Sequence, residues 1–169
     1  GFDFDDVFLA SAGDDVINGD GGDDTYHWGT GMGNDTLREY IGNDTVVLDD
    51  LNPGDIVVKR VSDHQDILFE NLATGETLLL DGMYHDWYSR HFFETVRFAD
   101  GTEWDRQEVS RHYIEQHTTD QNDTVIGFDF DDTFQSSAGN DELRGGEGSD
   151  TYHWSGGAGN DTVYEWKGN

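Results

Sequence analysis

Every nine residues an aspartate returns. From Gly1 the chain tiles as GFDFDDVFL, ASAGDDVIN and GDGGDDTYH, and then, after the two extra residues Trp28 and Gly29, as TGMGNDTLR and EYIGNDTVV. A second run tiles as TTDQNDTVI, GFDFDDTFQ, SSAGNDELR and GGEGSDTYH, then Trp154-Ser155, then GGAGNDTVY. The sixth position is Asp throughout: Asp6, Asp15, Asp24, Asp35 and Asp44, then Asp123, Asp132, Asp141, Asp150 and Asp161. The eighth is apolar or aromatic: Phe8, Ile17, Tyr26, Leu37 and Val46, then Val125, Phe134, Leu143, Tyr152 and Val163. The fourth is mostly Gly, with Phe4, Phe130 and Gln121 as exceptions.

This pattern leaves few folds open. Positions one to four, rich in glycine, suit a tight turn, because glycine reaches positive φ without steric cost. Positions seven to nine form a short strand, and alternation sends position eight inward with seven and nine outward. One inward residue per rung makes a thin core that needs stacking neighbours. The Asp at the end of each turn offers a carboxylate beside backbone carbonyls. Stacked turns would gather these oxygens into a donor set for a hard divalent cation such as Ca²⁺. Hairpin turns of an ordinary sheet do not demand Asp in ten consecutive registers.

A longer period encloses the short one. Residues 1–43 align without gaps onto residues 127–169, and roughly 60% of the positions are identical. The expectation is a segment of a longer tandem array.

Charge bears on folding and on partners. The formal net charge is −28, from 37 acidic residues against 9 basic ones. Such acidity suits a disordered tail, but aromatic residues make up 13% of the chain and there is one proline. Five tryptophans argue for a folded chain whose carboxylates are offset by something. The charge disfavours nucleic acid and anionic membranes as partners. Cysteine is absent, so neither disulfides nor thiolate metal sites can form. No apolar run approaches the ~20 residues of a membrane helix, so membrane insertion is not expected.

GGEGSDTYH and GGAGNDTVY resemble the RTX, or haemolysin-type, calcium-binding nonapeptide G-G-x-G-x-D-x-U-x, with U a large apolar residue. The resemblance implies an all-β chain built on a parallel β-roll, in which each nonapeptide makes half a turn and alternate nonapeptides stack. Calcium would sit between stacked turns, on the order of three ions per copy. The implied columns are Asp6–Asp24–Asp44 and Asp15–Asp35, then Asp123–Asp141–Asp161 and Asp132–Asp150. The implied ligands are these carboxylates together with turn groups at Gly13, Gly19, Gly21, Gly22, Gly139, Gly145, Glu147, Gly156 and Ala158. The expected organisation is a roll block at 1–47, a β-rich segment at 48–117 and a second roll block at 118–169.

Three departures stand out. In the two GFDFDD turns, Phe2, Phe4, Phe128 and Phe130 replace glycines, so these turns either bind calcium less regularly or pack against a neighbouring segment. EYIGNDTVV lacks its first glycines. Trp28-Gly29 and Trp154-Ser155 lengthen one turn, and the indole is expected to cap the stack.

Between the blocks the rhythm is lost. Alternation predicts strands near Asp55–Lys59, Asp66–Glu70, Glu76–Leu80 and Glu94–Phe98, with turns at 52–55 and 99–102. Residues 105–116 predict a short helix, with Asp105 as N-cap, Glu108 at the capping-box spacing, and Val109 and Tyr113 on its inner face. FETVRFADGTEWD is similar to a segment that accompanies RTX repeats. No catalytic motif occurs, and the expectation is that the chain is not an enzyme. A zinc site from His85 and His91, or a glycan platform from Tyr84, Trp87, Tyr88, Phe92 and Phe93, is weaker than surface and core roles for these residues. His64, His112 and His117 read the same way.

The function these features imply is a calcium-folded structural module of a secreted bacterial protein of the adhesin, surface-layer or filament kind, exported by type I secretion. Its partners would be calcium and either neighbouring copies of the repeat or an extracellular glycan. A glycan- or protein-binding module, or the accessory region of a secreted hydrolase or toxin, is the alternative. An ice-binding surface is disfavoured, because position seven varies among Thr, Val and Glu.

Overall fold

The computed structural model describes residues 1–61, 66–81, 93–157 and 159–167. The chain divides into two compact units, Gly1–Arg106 and Gln107–Asn169, so the 48–117 segment is shared between them. His64, His85, His91, Tyr84, Trp87, Tyr88, Phe92 and Ala158 lie outside the described residues.

The first unit is a parallel β-roll with a short antiparallel extension. Its strands are β1 (Val7–Leu9), β2 (Val16–Asn18), β3 (Thr25–Trp28), β4 (Asp35–Arg38) and β5 (Asp44–Leu48) from the repeats. The intervening segment adds β6 (Ile56–Arg60), β7 (Ile67–Asn71), β8 (Thr77–Asp81), β9 (Phe93–Arg97) and β10 (Glu103–Trp104). Alternate strands stack into two five-stranded sheets, β1-β3-β5-β9-β10 and β2-β4-β8-β7-β6. The register pairs position eight with position eight: Phe8 with Tyr26, Tyr26 with Val46, and Ile17 with Leu37. Each ladder then receives a strand from the segment. β8 joins β4 in parallel, with Leu80 opposite Leu37, and β9 joins β5 in parallel, with Val96 opposite Val46. The segment strands thus continue the roll's own sheets; β6 to β9 each lie within about one residue of their predicted places, and the two-residue β10 was not expected.

Burial grows along the stack, because each inner residue is covered only by its neighbours. Phe8 and Ile17 are half-buried, whereas Tyr26, Leu37 and Val46 are fully enclosed. Phe8 stacks on Tyr26 with ring centres 5.0 Å apart, and Phe93 meets Tyr26 edge-on at 5.5 Å. Trp28 does not cap the stack. The longer turn lets β3 run one residue further, so Trp28 points inward opposite Leu48 and is buried.

The second unit holds α1 (Arg106–His117) except its first residue, and the strands β11 (Thr124–Ile126), β12 (Thr133–Gln135), β13 (Glu142–Arg144), β14 (Thr151–His153) and β15 (Thr162–Tyr164). The sheets are β11-β13-β15 and β12-β14, both parallel. Phe134 stacks on Tyr152 at 5.0 Å, repeating the Phe8–Tyr26 pair. α1 starts one residue after Asp105 and buries Val109, Ser110, Tyr113 and Ile114 on one face. On its exposed side Arg111 bridges Glu108 at 2.6 Å and Glu115 at 2.7 Å, one turn away in each direction.

Candidate metal centre

The position-six carboxylates form continuous columns. In each, a backbone N–H donates to Oδ1 of the Asp on the next stacked turn. Asp6 donates to Asp24 at 2.7 Å, Asp24 to Asp44 at 2.8 Å, and Asp15 to Asp35 at 2.7 Å. In the second unit Asp123 donates to Asp141, Asp141 to Asp161, and Asp132 to Asp150, each at 2.9 Å. One oxygen of every column Asp beyond the first is thereby fixed, which aims the other.

That other oxygen divides the columns into two kinds. At the first rungs it turns back on its own turn. Phe2 N–H donates to Asp6 Oδ2, Ser11 to Asp15 Oδ2, Thr119 to Asp123 Oδ2 and Phe128 N–H to Asp132 Oδ2. Asp141 Oδ2 likewise accepts from Ser137 Oγ at 2.8 Å. Deeper in, Oδ2 of Asp24, Asp35, Asp44, Asp150 and Asp161 is buried and accepts no hydrogen bond. A buried carboxylate oxygen without a donor is costly unless a cation or a proton satisfies it.

Backbone carbonyls line the gaps between the same stacked turns. The position-four carbonyls of Gly13, Gly22 and Gly139 point at the following stacked turn, where a methyl on Gly33, Gly42 or Gly159 would overlap them. The position-one carbonyls of Gly19 and Gly145 point at the preceding turn, against Gly1 and Gly127. Gly33 is doubly constrained, because its φ of +97° also lies in the left-handed region. Oxygens from two turns thus converge, as a six- to eight-coordinate oxygen site for Ca²⁺ requires.

The electrostatics agree with that fit. Burial holds the carboxyls of Asp24, Asp35 and Asp150 above the usual range, against the opposing effect of their backbone hydrogen bonds. Asp44 is pushed up to about 7, first by burial and then by Glu94, Asp24 and Asp23. Two unit charges about 4 Å apart repel by roughly 4 kcal/mol at an effective dielectric near 20. A divalent cation among them reverses the sign of that interaction.

The remaining expected positions are less convergent. Gly21 bridges Asp3 and Ile41 in the ladder. Glu147 is exposed, and its carboxylate pairs with Lys167 at 2.7 Å. Gly156 has open space around it. Phe93 of the aromatic run is committed to the core. His117 faces the Tyr113 carbonyl at 2.8 Å, and His112 lies beside Glu108 and Glu115 on the same helix.

Sequence reasoning missed two features. One is a second ladder at position five, running the opposite way. Asp23 N–H donates to Asp5, Asn34 to Asp14, Asn43 to Asp23, Asn140 to Asn122, Ser149 to Asp131 and Asn160 to Asn140, at 2.8–3.0 Å. The signal was an Asp or Asn preceding nearly every column Asp. The other is Glu94, whose Oε2 accepts the Asp44 N–H at 2.6 Å and continues the first column. Its signal is the match of Glu94-Thr95-Val96 to Asp44-Thr45-Val46. The longer side chain coincides with a bulge at Asp44/Thr45.

Stacked parallel half-turns with aligned carboxylates and carbonyls define a calcium-binding β-roll. The chain belongs to the family of RTX calcium-binding nonapeptide repeats, whose model (4 copies) matches residues 1–37, 117–152 and 155–169. Residues 66–108 match the haemolysin-type calcium binding protein related domain, which covers β7 to β10 and the start of α1. Comparison with curated proteins gave no match.

Proposed function

We propose that this calcium-binding repeat module is a structural element of a large secreted bacterial protein, of adhesin, surface-layer or filament type, and that it orders only on meeting calcium outside the cell. The observation that carries this reading is the row of buried, unpartnered Oδ2 atoms on Asp24, Asp35, Asp44, Asp150 and Asp161. The residues that would hold the ions are these aspartates, with the carbonyls of Gly13, Gly19 and Gly22 in the first unit and of Gly139 and Gly145 in the second. Calcium supplies the positive charge that lets the carboxylates stack while ionised.

The chain's own residues do the rest. The Oδ1 hydrogen bonds orient the aspartates, and the position-five ladder holds the turns in step. The inward row Phe8–Tyr26–Val46 and its counterparts supply a core too thin to offset the conformational entropy of ordering the turns alone. At the low calcium of a cytoplasm the chain stays unfolded and passes through an export channel; at extracellular calcium it folds. Type I secretion fits such a chain, and its role is mechanical support, not catalysis.

Far-UV circular dichroism across a titration from EGTA to about 10 mM calcium, with magnesium as control, tests the proposal. A cooperative gain of β signal with calcium alone is expected. A chain fully folded in EGTA and indifferent to calcium overturns it.

A further inference from the structure

The EYIGND turn has a glutamate where position one elsewhere in the stack is Gly1 and Gly19, and that glutamate points inward. Glu39 is 6% exposed. Its Oε2 is held by the Tyr40 N–H at 3.0 Å. Its Oε1, the Tyr26 hydroxyl and Asp24 Oδ2 are the three nearest atoms to the place a methyl on Gly19 would take, so only glycine leaves room for them. Carboxylate oxygens of Asp24, Glu39 and Asp44 all lie within 4.8 Å of one another.

Acidic clustering alone would not make a site. Independently, Asp24, Asp44 and Tyr26 are each at most 1% exposed, and Asp24 Oδ2, Asp44 Oδ2 and the Tyr26 hydroxyl are without hydrogen-bond partners. Part of the arrangement recurs, with the glutamate exposed. In the second copy Glu165 stands at the position equivalent to Glu39, and its charge acts on Asp150 and Tyr152, the equivalents of Asp24 and Tyr26.

We propose that Glu39 is a side-chain ligand for the cation held between Asp24 and Asp44, giving this one rung three carboxylates where its neighbours bring two. The inference rests on the calcium reading above and adds a residue to it. Ligand charge count tunes the affinity of oxygen sites for calcium, so this is the tightest calcium site of the roll and the first to fill. A trivalent lanthanide should favour it further, and Tyr26 stands close enough to sensitise terbium emission.

The test is calcium calorimetry and terbium luminescence on the full chain and on Glu39→Gln, which keeps the shape and removes the charge. Loss of the tightest binding step, or its weakening by at least about tenfold with the other steps unchanged, is expected. Identical isotherms for wild type and Glu39→Gln overturn the proposal and make Glu39 a protonated filler of the turn. A wild type that binds no calcium overturns the broader reading, which is a different result. Should Glu39→Gln fail to fold, terbium-soaked wild-type crystals decide. An anomalous peak about 2.3–2.6 Å from a Glu39 oxygen supports the proposal, and a nearest peak beyond about 4 Å sinks it.

Discussion

The six residues GFDFDD occur twice, at Gly1–Asp6 and Gly127–Asp132, and fold into two different surroundings. In the first turn Phe2 and Phe4 are 75% and 74% exposed. In the second Phe128 is fully buried, edge-on to Tyr113 of α1 at 5.6 Å and stacked on Phe130 at 5.8 Å. Asp132 is buried too, and Ser110 Oγ of the helix donates to its Oδ1 at 2.5 Å. Phenylalanine in the place of glycine is therefore a docking device. Of the two alternatives the sequence left open for these turns, packing against a neighbouring segment is what the second turn displays.

The comparison can be broken most sharply at the ring itself. Phe128→Ala should cost the calcium-loaded second unit about 3–5 kcal/mol, while Phe2→Ala should change stability by no more than about 0.5 kcal/mol. Guanidinium unfolding at saturating calcium measures both, and equal losses would erase the distinction. Amide exchange in α1 should rise in Phe128→Ala alone.

The next prediction concerns the first unit without calcium. Glu39 is pushed up to about 8 and Asp44 to about 7, chiefly by burial. Each binds a proton more readily folded than unfolded, so stability falls as pH rises from the ordinary carboxyl range through these values. In EGTA, residual β structure should be greater near pH 5 than near pH 8, with the difference lost in Asp44→Asn/Glu39→Gln. A calcium-free chain whose circular dichroism is flat across that range would contradict this.

Ser110→Ala should be milder, about 1–3 kcal/mol, because it strips a donor from a buried carboxylate. Thermal unfolding in calcium reads it, and the loss should shrink in an Asp132→Asn background. Smallest is Lys167→Ala, which should leave the melting temperature essentially unchanged, because the Glu147 pair is exposed.

The columns were legible because their signal is local: Asp at one fixed offset, with an apolar residue two places later. Strands β6 to β9 were legible by alternation, and α1 by its cap and apolar spacing; β10, two residues long, was too short to show an alternation. Glu94 was not, because its rung is separated from Asp44 by the whole β6–β8 excursion, and a glutamate replaces the aspartate. Glu39 was noticed only as a missing glycine; where a side chain points from a turn depends on what stacks above and below it. The contrast between Phe2 and Phe128 was beyond reach for the same reason, since identical residues carry no record of which turn has a helix beside it.

The two extra residues after each Tyr-His also bear on how such a chain can change over generations. Successive rungs pair at a step of 18 residues from Phe8 to Tyr26 and from Phe134 to Tyr152, but of 20 from Tyr26 to Val46 and from Leu143 to Val163. Inner residue still meets inner residue, because the surplus follows the three residues that pair at every rung, Trp28 lengthening β3 and Gly29 the turn, and the ladder counts rungs instead of residues. A two-codon insertion at that point moves no inner residue to the outer face. The turns are the places where this architecture can be edited in length, and the three residues after each aspartate are the places where it cannot.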